Sequence, residues 1–167
     1  MLKNVTKLTF AISFVFTQWS SDSSQNTLIE SASQIQSSPL VQVALDGSTY
    51  IAWGDRRNTP SYDYRMKRLD FSGNVFESYT LSNQHSSSAA GNLEALESDT
   101  EHGVFVLWEQ ITDNRDELRL QHVNSILDAN GTVFNDNGLT LSGFECDRKN
   151  GSLAVIDRDN AIVSFTT

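Results

Sequence analysis

The sequence predicts an all-β fold built from repeated antiparallel meanders. Three observations carry this. Short apolar runs alternate with turn signals along most of the chain, and no segment holds an amphipathic helical pattern over three turns. The order of events from Gly47 to Ser82 returns from Gly103 to Ser142: an apolar strand ending in tryptophan, a polar turn, an alternating strand, a glycine turn and a further strand. The matched landmarks keep a near-constant spacing, with Trp108 lying 108 − 53 = 55 residues after Trp53 and Asp128 lying 128 − 70 = 58 after Asp70. A repeat of about 50 residues marks solenoids, propellers and arrays.

The chain opens with Lys3 and Lys7 ahead of the apolar run Leu8–Phe16, and no acidic residue comes before Asp22. That pattern reads residues 1–19 as a secretory signal peptide, its core far short of the ~20 residues that span a bilayer. The competing reading makes Phe14–Trp19 the remains of an earlier repeat, since it resembles Val104–Trp108. Residues 20–38 contain eight serines and few large apolar side chains, which reads as a linker or loosely attached arm with Leu28, Ile29 and Ile35 as docking points. Ordered structure is expected from Pro39, and residues 39–167 form the repeat domain, with units near 39–82, 90–142 and 143–167.

In the first unit, Leu40–Leu45 is an apolar strand stopped by Asp46-Gly47. Thr49–Trp53 is apolar on both faces, with Ile51 and Trp53 pointing one way and Tyr50 and Ala52 the other. Its counterpart sets Val104, Val106 and Trp108 against Phe105 and Leu107. Strands of this kind require cover on both faces. The third strands alternate: Tyr64, Met66 and Arg68 oppose Arg65, Lys67 and Leu69, and Leu118–Gln121 follows the same rule. Val75–Leu81 and Thr132–Leu141 supply a more polar fourth strand. Two complete four-stranded antiparallel blades result, followed by a partial third: a strand at Phe144–Asp147, a turn at Lys149-Asn150-Gly151, then strands Leu153–Ile156 and Ala161–Thr167. Radial stacking of blades covers both faces of a sheet, so the fold expected is an open or fragmentary propeller, completed by further chain or by other copies in a ring.

Trp53-Gly54-Asp55-Arg56, followed by Asp63–Asp70 and Gly73, resembles the repeat of secreted bacterial propeller-like proteins, W-x-D-x-R and then D-I-Y-x-Q-R-L-D-x-x-G, with Pro39 and Asp46-Gly47 in their expected places. The second unit departs from it, with Gln110 at the Asp55 position and Glu117-Leu118 at the Asp63-Tyr64 position. The third keeps Asn150-Gly151-Ser152 and an apolar strand, with Asp157 at the tryptophan position. The resemblance implies architecture and export, to the periplasm, the envelope or the medium; it implies no single activity.

Composition narrows the partners. Twelve basic against 21 acidic residues give a net charge of −9, which argues against nucleic acid and leaves carbohydrate, protein or cation partners. The single cysteine, Cys146, permits no intrachain disulfide and reads as a small apolar strand residue. Trp53, Asp55, Arg56, Arg57 and Trp108 are the candidate ligand-binding residues, because arginine forks pair with carboxylates and indole faces suit sugars and cations. The plainer reading pairs Asp55 with an arginine of its own unit and pins the loop. Asp128, Asn130 and Asp136 offer hard oxygen donors for calcium, although Asp-Ala-Asn-Gly and Asn-Asp-Asn-Gly are also ordinary turn sequences. No other cofactor is indicated. Arg56, Arg65, Arg119, Glu109 and Tyr64 are the residue types a sialidase uses, yet the Ser-x-Asp-x-Gly-x-Thr-Trp turn of sialidase blades is absent. The reading is a binding module, not an enzyme, with a purely structural repeat as the alternative.

Overall fold

The computed structural model describes residues 27–33, 35–57, 63–82, 91–112, 115–124, 133–134, 137–141 and 149–166. The segment read as a signal peptide, Cys146, and Asp128, Asn130 and Asp136 lie outside them. Every regular element described is a strand: β1 (Gln36–Val43), β2 (Thr49–Asp55), β3 (Asp63–Leu69), β4 (Val75–Ser82), β5 (Leu93–Ser98), β6 (Val104–Thr112), β7 (Arg115–Val123), β8 (Leu139–Thr140), β9 (Lys149–Val155) and β10 (Ala161–Thr166). Strands β1–β4 form one antiparallel meander and β5–β8 a second, each in chain order, and β9 pairs with β10 as a hairpin.

The three units stack face to face in an open arrangement. Tyr50, Ala52, Tyr64 and Met66 of the first sheet pack on Val104, Val106 and Trp108 of the second. The other face of the second sheet carries Phe105, Leu107, Leu118 and Leu120, which meet Leu153, Val155, Val163 and Phe165 of the hairpin. The central strand β6 is therefore apolar on both sides because it is covered on both sides. Two phenols tie the first sheet to the second: Tyr50 Oη donates to the His102 carbonyl at 2.6 Å and Tyr64 Oη to the Glu109 carbonyl at 3.0 Å. A buried tyrosine keeps its apolar ring in the core while its hydroxyl finds a backbone acceptor.

The register shows how closely the units repeat. In each, the first two strands are joined by five residues, between Val43 and Thr49, Ser98 and Val104, and Val155 and Ala161. The same bond closes each connection: Ala44 N–H to the Ser48 carbonyl, Asp99 N–H to Gly103 and Ile156 N–H to Asn160, at 2.9, 3.0 and 2.9 Å. Tyr50 pairs with Arg68 in the first sheet, and Phe105 pairs with His122 in the second.

This register corrects the third unit. Lys149-Asn150-Gly151 is strand, not turn, because β9 begins at Lys149. β9 and β10 thus take the places of the first and second strands, Phe165 stands where the tryptophans stand, and Asp157 sits in the connection. Gly151 is explained by close approach: a Cβ there would lie 2.6 Å from a methyl of Leu107 and 2.9 Å from one of Leu118.

The N-terminal boundary also differs. β1 starts at Gln36, inside the stretch read as a linker, and residues 27–33 run across the outer face of the first sheet. Thr27 Oγ1 donates to the Gly73 carbonyl at 2.7 Å, Lys67 Nζ donates to the Ile29 carbonyl, and Arg56 N–H donates to the Ile35 carbonyl at 3.0 Å. Leu28 and Ile35 remain exposed. The arm supplies the cover that β2 requires, which composition could not show because the contacts span up to 46 residues of chain.

Candidate functional site

The candidate residues that the fold brings together lie at the end of β2, where the first sheet meets the arm. Strand alternation places Trp53 on the outer face, beside its cross-strand partner Arg65 and near Lys67. Asp55 is the last residue of β2 and its side chain is fully buried. One oxygen accepts the Trp53 indole N–H at 3.2 Å and Arg57 Nη2 at 2.6 Å; the other accepts Arg57 Nε and backbone N–H, each at 2.9 Å. The guanidinium fork grips the carboxylate bidentately, the strong form of such a pair. Arg57 Nη2 also reaches Glu30 of the arm at 2.6 Å, and Glu30 in turn caps the N–H groups of Ser31 and Ala32 at 2.8 and 3.0 Å. Arg65 bonds Asp63 at 3.2 Å and lies 3.9 Å from Asp55, while Lys67 Nζ sits 3.8 Å from Glu30 and 5.9 Å from the Trp53 ring centre.

Three carboxylates and three cations thus form one network. Burial works to raise the Asp55 pKa, but hydrogen bonds from the Arg57 side chain and backbone, then from Trp53, outweigh it and bring the carboxyl down to about 2. Glu30 follows the same logic, with burial opposing and Arg57, Ala32 and Ser31 lowering. The bond to Asp55 holds Arg57 more firmly protonated than usual. Chemically, the network clamps the arm to the sheet; both oxygens of Asp55 are engaged within the chain. Beside it, between arm and sheet, lies an open groove of about 300 Å³ lined by Ile29, Glu30, Gln36, Ser37, Pro39, Ile51 and Trp53.

Trp53, Asp55 and Arg57 therefore share one place, with the Trp53 side 4% exposed. Arg56 joins the arm through its backbone. Trp108 is elsewhere: it is 0% exposed between the two sheets, its indole N–H donating to Gln110 at 3.4 Å and its ring 6.1 Å from that of Tyr64. Gln110 is the counterpart of Asp55, two residues past the tryptophan, and it also accepts Ser82 Oγ at 3.0 Å. An acceptor at this position satisfies the buried indole in both units.

Glu30 and Lys67 escaped the sequence reading of the site, and Arg65 entered it only as a residue type that a sialidase uses. The alternation of β3 already put Arg65 and Lys67 on the Trp53 face, so that signal was present. Nothing local tied Glu30 to Asp55. A second cluster was also missed: an acid of the first connection in each sheet holds a basic residue of the third strand over an aromatic ring. Asp46 pairs with Arg68 at 2.7 Å, and Arg68 lies 5.6 Å from the Tyr50 ring centre. Asp99 pairs with His122 at 3.0 Å, and His122 stacks on Phe105 at 4.2 Å.

The class these observations define is an all-β protein of stacked antiparallel meanders. No family model, curated protein or solved structure matches the chain.

Proposed function

We propose that this chain is an exported binding module that acts within a larger or oligomeric propeller-like assembly, its partner being a protein surface. The observation that carries the reading is the outer face of the β9–β10 hairpin. Ile162 takes the place of Tyr50 and Phe105, which are both buried against or beside the next layer, yet it is 58% exposed, and neighbouring Ile156 is 60% exposed. Exposed apolar side chains at positions that pack elsewhere in the same molecule favour an interaction surface. β10 pairs on one side only among the described residues, leaving a strand edge that invites pairing. Catalysis forms no part of this reading, because the carboxylates around Trp53 are each paired with arginine or lysine.

Light scattering on the purified chain tests it. A ring or other defined oligomer that Ile162→Asp disperses, with the fold retained, is the expected result. A cooperatively folding monomer that captures no partner defeats the reading. Capture on a glycan array, weakened by replacing Trp53, would put carbohydrate in the partner's place.

A further inference from the structure

In the first two sheets the second strand has a third strand beside it: β2 pairs with β3, and β6 with β7. β10 holds the place of β2 and β6, yet between Ala161 and Ser164 no described strand pairs with its other edge. An open groove of about 390 Å³ lies there, walled on the second sheet by Leu120, Phe134, Leu139 and Leu141 and on the hairpin by Ala161 and Val163. Its hairpin wall comes from β10 and the connection before it, so the groove sits where a third strand would run. Tyr79 shows what such a strand does. It pairs with Met66 as Leu139 pairs with Leu120, and Met66 and Leu120 hold one place in their sheets, so Tyr79 and Leu139 correspond. Tyr79 is 9% exposed, in a core cluster that includes Val123 of β7, the third strand of the next sheet. Leu139 is 46% exposed, and the next unit has no third strand among the described residues.

We propose that this groove receives an extended strand of a partner protein, which pairs antiparallel with β10 between Ala161 and Ser164, turns apolar side chains inward and carries a cation between them. This mode of contact presupposes the protein partner proposed above; main-chain hydrogen bonds along the edge supply affinity, and the groove selects side chains. The direction is that of β3 and β7, which run antiparallel to β2 and β6. Residues directly opposed across two strands share a face, so the partner's side chains opposite Ala161 and Val163 enter the apolar groove. The residue between them lies opposite Ile162. Arg68 opposite Tyr50 and His122 opposite Phe105 hold that place in the complete sheets, each bonded to an acid of the first connection, Asp46 at 2.7 Å and Asp99 at 3.0 Å. The hairpin connection carries Asp157 and Asp159, and Asp159 lines the groove with its side chain 64% exposed. Its contact with Arg158 at 3.3 Å lies at the surface and competes weakly. A net charge of −9 favours a cationic segment of another protein over a second copy of this chain.

Titration of acetyl-Thr-Ile-Lys-Ile-Thr-amide into the isotope-labelled full chain, followed by NMR, tests the groove. Saturable shifts at Ala161–Ser164 and Leu139 are expected, with a dissociation constant on the order of millimolar for so short a strand. Glu in place of the peptide's Lys should weaken binding about two- to fivefold at low salt. An edge strand turns only alternate N–H groups toward its neighbour. Of the two peptides N-methylated at alternate residues, one should therefore bind and the other should not. Leu139→Lys, at an exposed position, should keep the fold by circular dichroism and weaken binding about tenfold or more, by setting a charge in the apolar groove. Absence of saturable shifts, equal binding of the two N-methylated peptides, or full binding by acetyl-Ile-Ile-Lys-Thr-Thr-amide would overturn the proposal. Dispersal of a self-associated form by the peptide would assign the strand to a second copy and overturn the partner assignment. Ile162→Asp should retain peptide binding. A ring that forms without peptide binding defeats the groove alone, and a monomer that binds the peptide defeats the assembly alone.

Discussion

Asp55 sits beneath the arm with both oxygens bonded, and its titration should be visible in stability. Its folded-state pKa of about 2 lies below the ordinary 3.8. The stabilisation is therefore complete above the unfolded value and is lost as the pH falls through about 2, amounting to on the order of 2 kcal/mol. Asp55→Asn should lower Tm clearly at neutral pH, and the gap to the native chain should close between pH ~4 and ~2. A gap that stays constant over that range would show that the carboxylate's charge contributes nothing. Two glycines offer a sharper comparison. A Cβ on Gly91 would lie 1.7 Å from the Glu109 carbonyl oxygen, which is backbone, whereas one on Gly151 meets only the ends of leucine side chains. Gly91→Ala should cost ~3 kcal/mol or more and Gly151→Ala about 1–2, because leucine rotamers yield more readily than a paired strand. Denaturant melts that reverse this order would refute the packing described at the start of β5.

Strands β2 and β6 are alike in pattern and unlike in cover. β6 lies between two sheets, so Trp108→Ala should cost about 3–5 kcal/mol. β2 has a sheet on one side and the arm on the other, with the open groove beside Trp53. Trp53→Ala should fall at the lower end of that range, since part of the surrounding space is already open. Equal losses in equilibrium unfolding would argue that the arm covers Trp53 as fully as a sheet covers Trp108. Measured against the Trp19→Phe chain, so that only Trp53 and Trp108 report, removing residues 1–33 should shift tryptophan emission to the red and cost on the order of 3 kcal/mol, the burial energy of about one large apolar side chain. Unchanged emission would mean that the arm does not cover Trp53. The double-sided apolar pattern of Thr49–Trp53 and Val104–Trp108 already demanded cover on both faces, and the structure provides it. The identity of the cover for β2 was not legible, because a serine-rich stretch shows no periodicity and its hold on the sheet comes from Glu30, the Ile29 carbonyl and Thr27.

At the scale of the molecule, the described residues form a stack: arm, sheet, sheet, hairpin. The three stranded units repeat one another, down to the five-residue connection and the ring that ends the second strand. The hairpin's outer face, with Ile156 and Ile162, breaks that series by being open to solvent. Ile162→Asp should therefore leave the unfolding free energy within about 0.5 kcal/mol of the native chain, as an exposed site does. A loss of several kcal/mol would place that side chain in a core.

The sequence by itself determined the all-β class, the two four-stranded meanders and which residues of β2, β3 and β6 share a face, and it offered the pairing of Asp55 with an arginine of its own unit as the plainer of two readings. These depend on period-2 alternation, turn residues and short spacings, all of which are local. Only the tertiary structure decided the register of the third unit, where Gly151 imitates a turn residue but serves a close approach between layers. The tertiary structure also decided the place of the arm, the burial of Trp53 and Trp108, and the groove between Ile29 and Trp53. Those follow from which surfaces meet across tens of residues, and strand alternation specifies that a face must be covered without specifying by what.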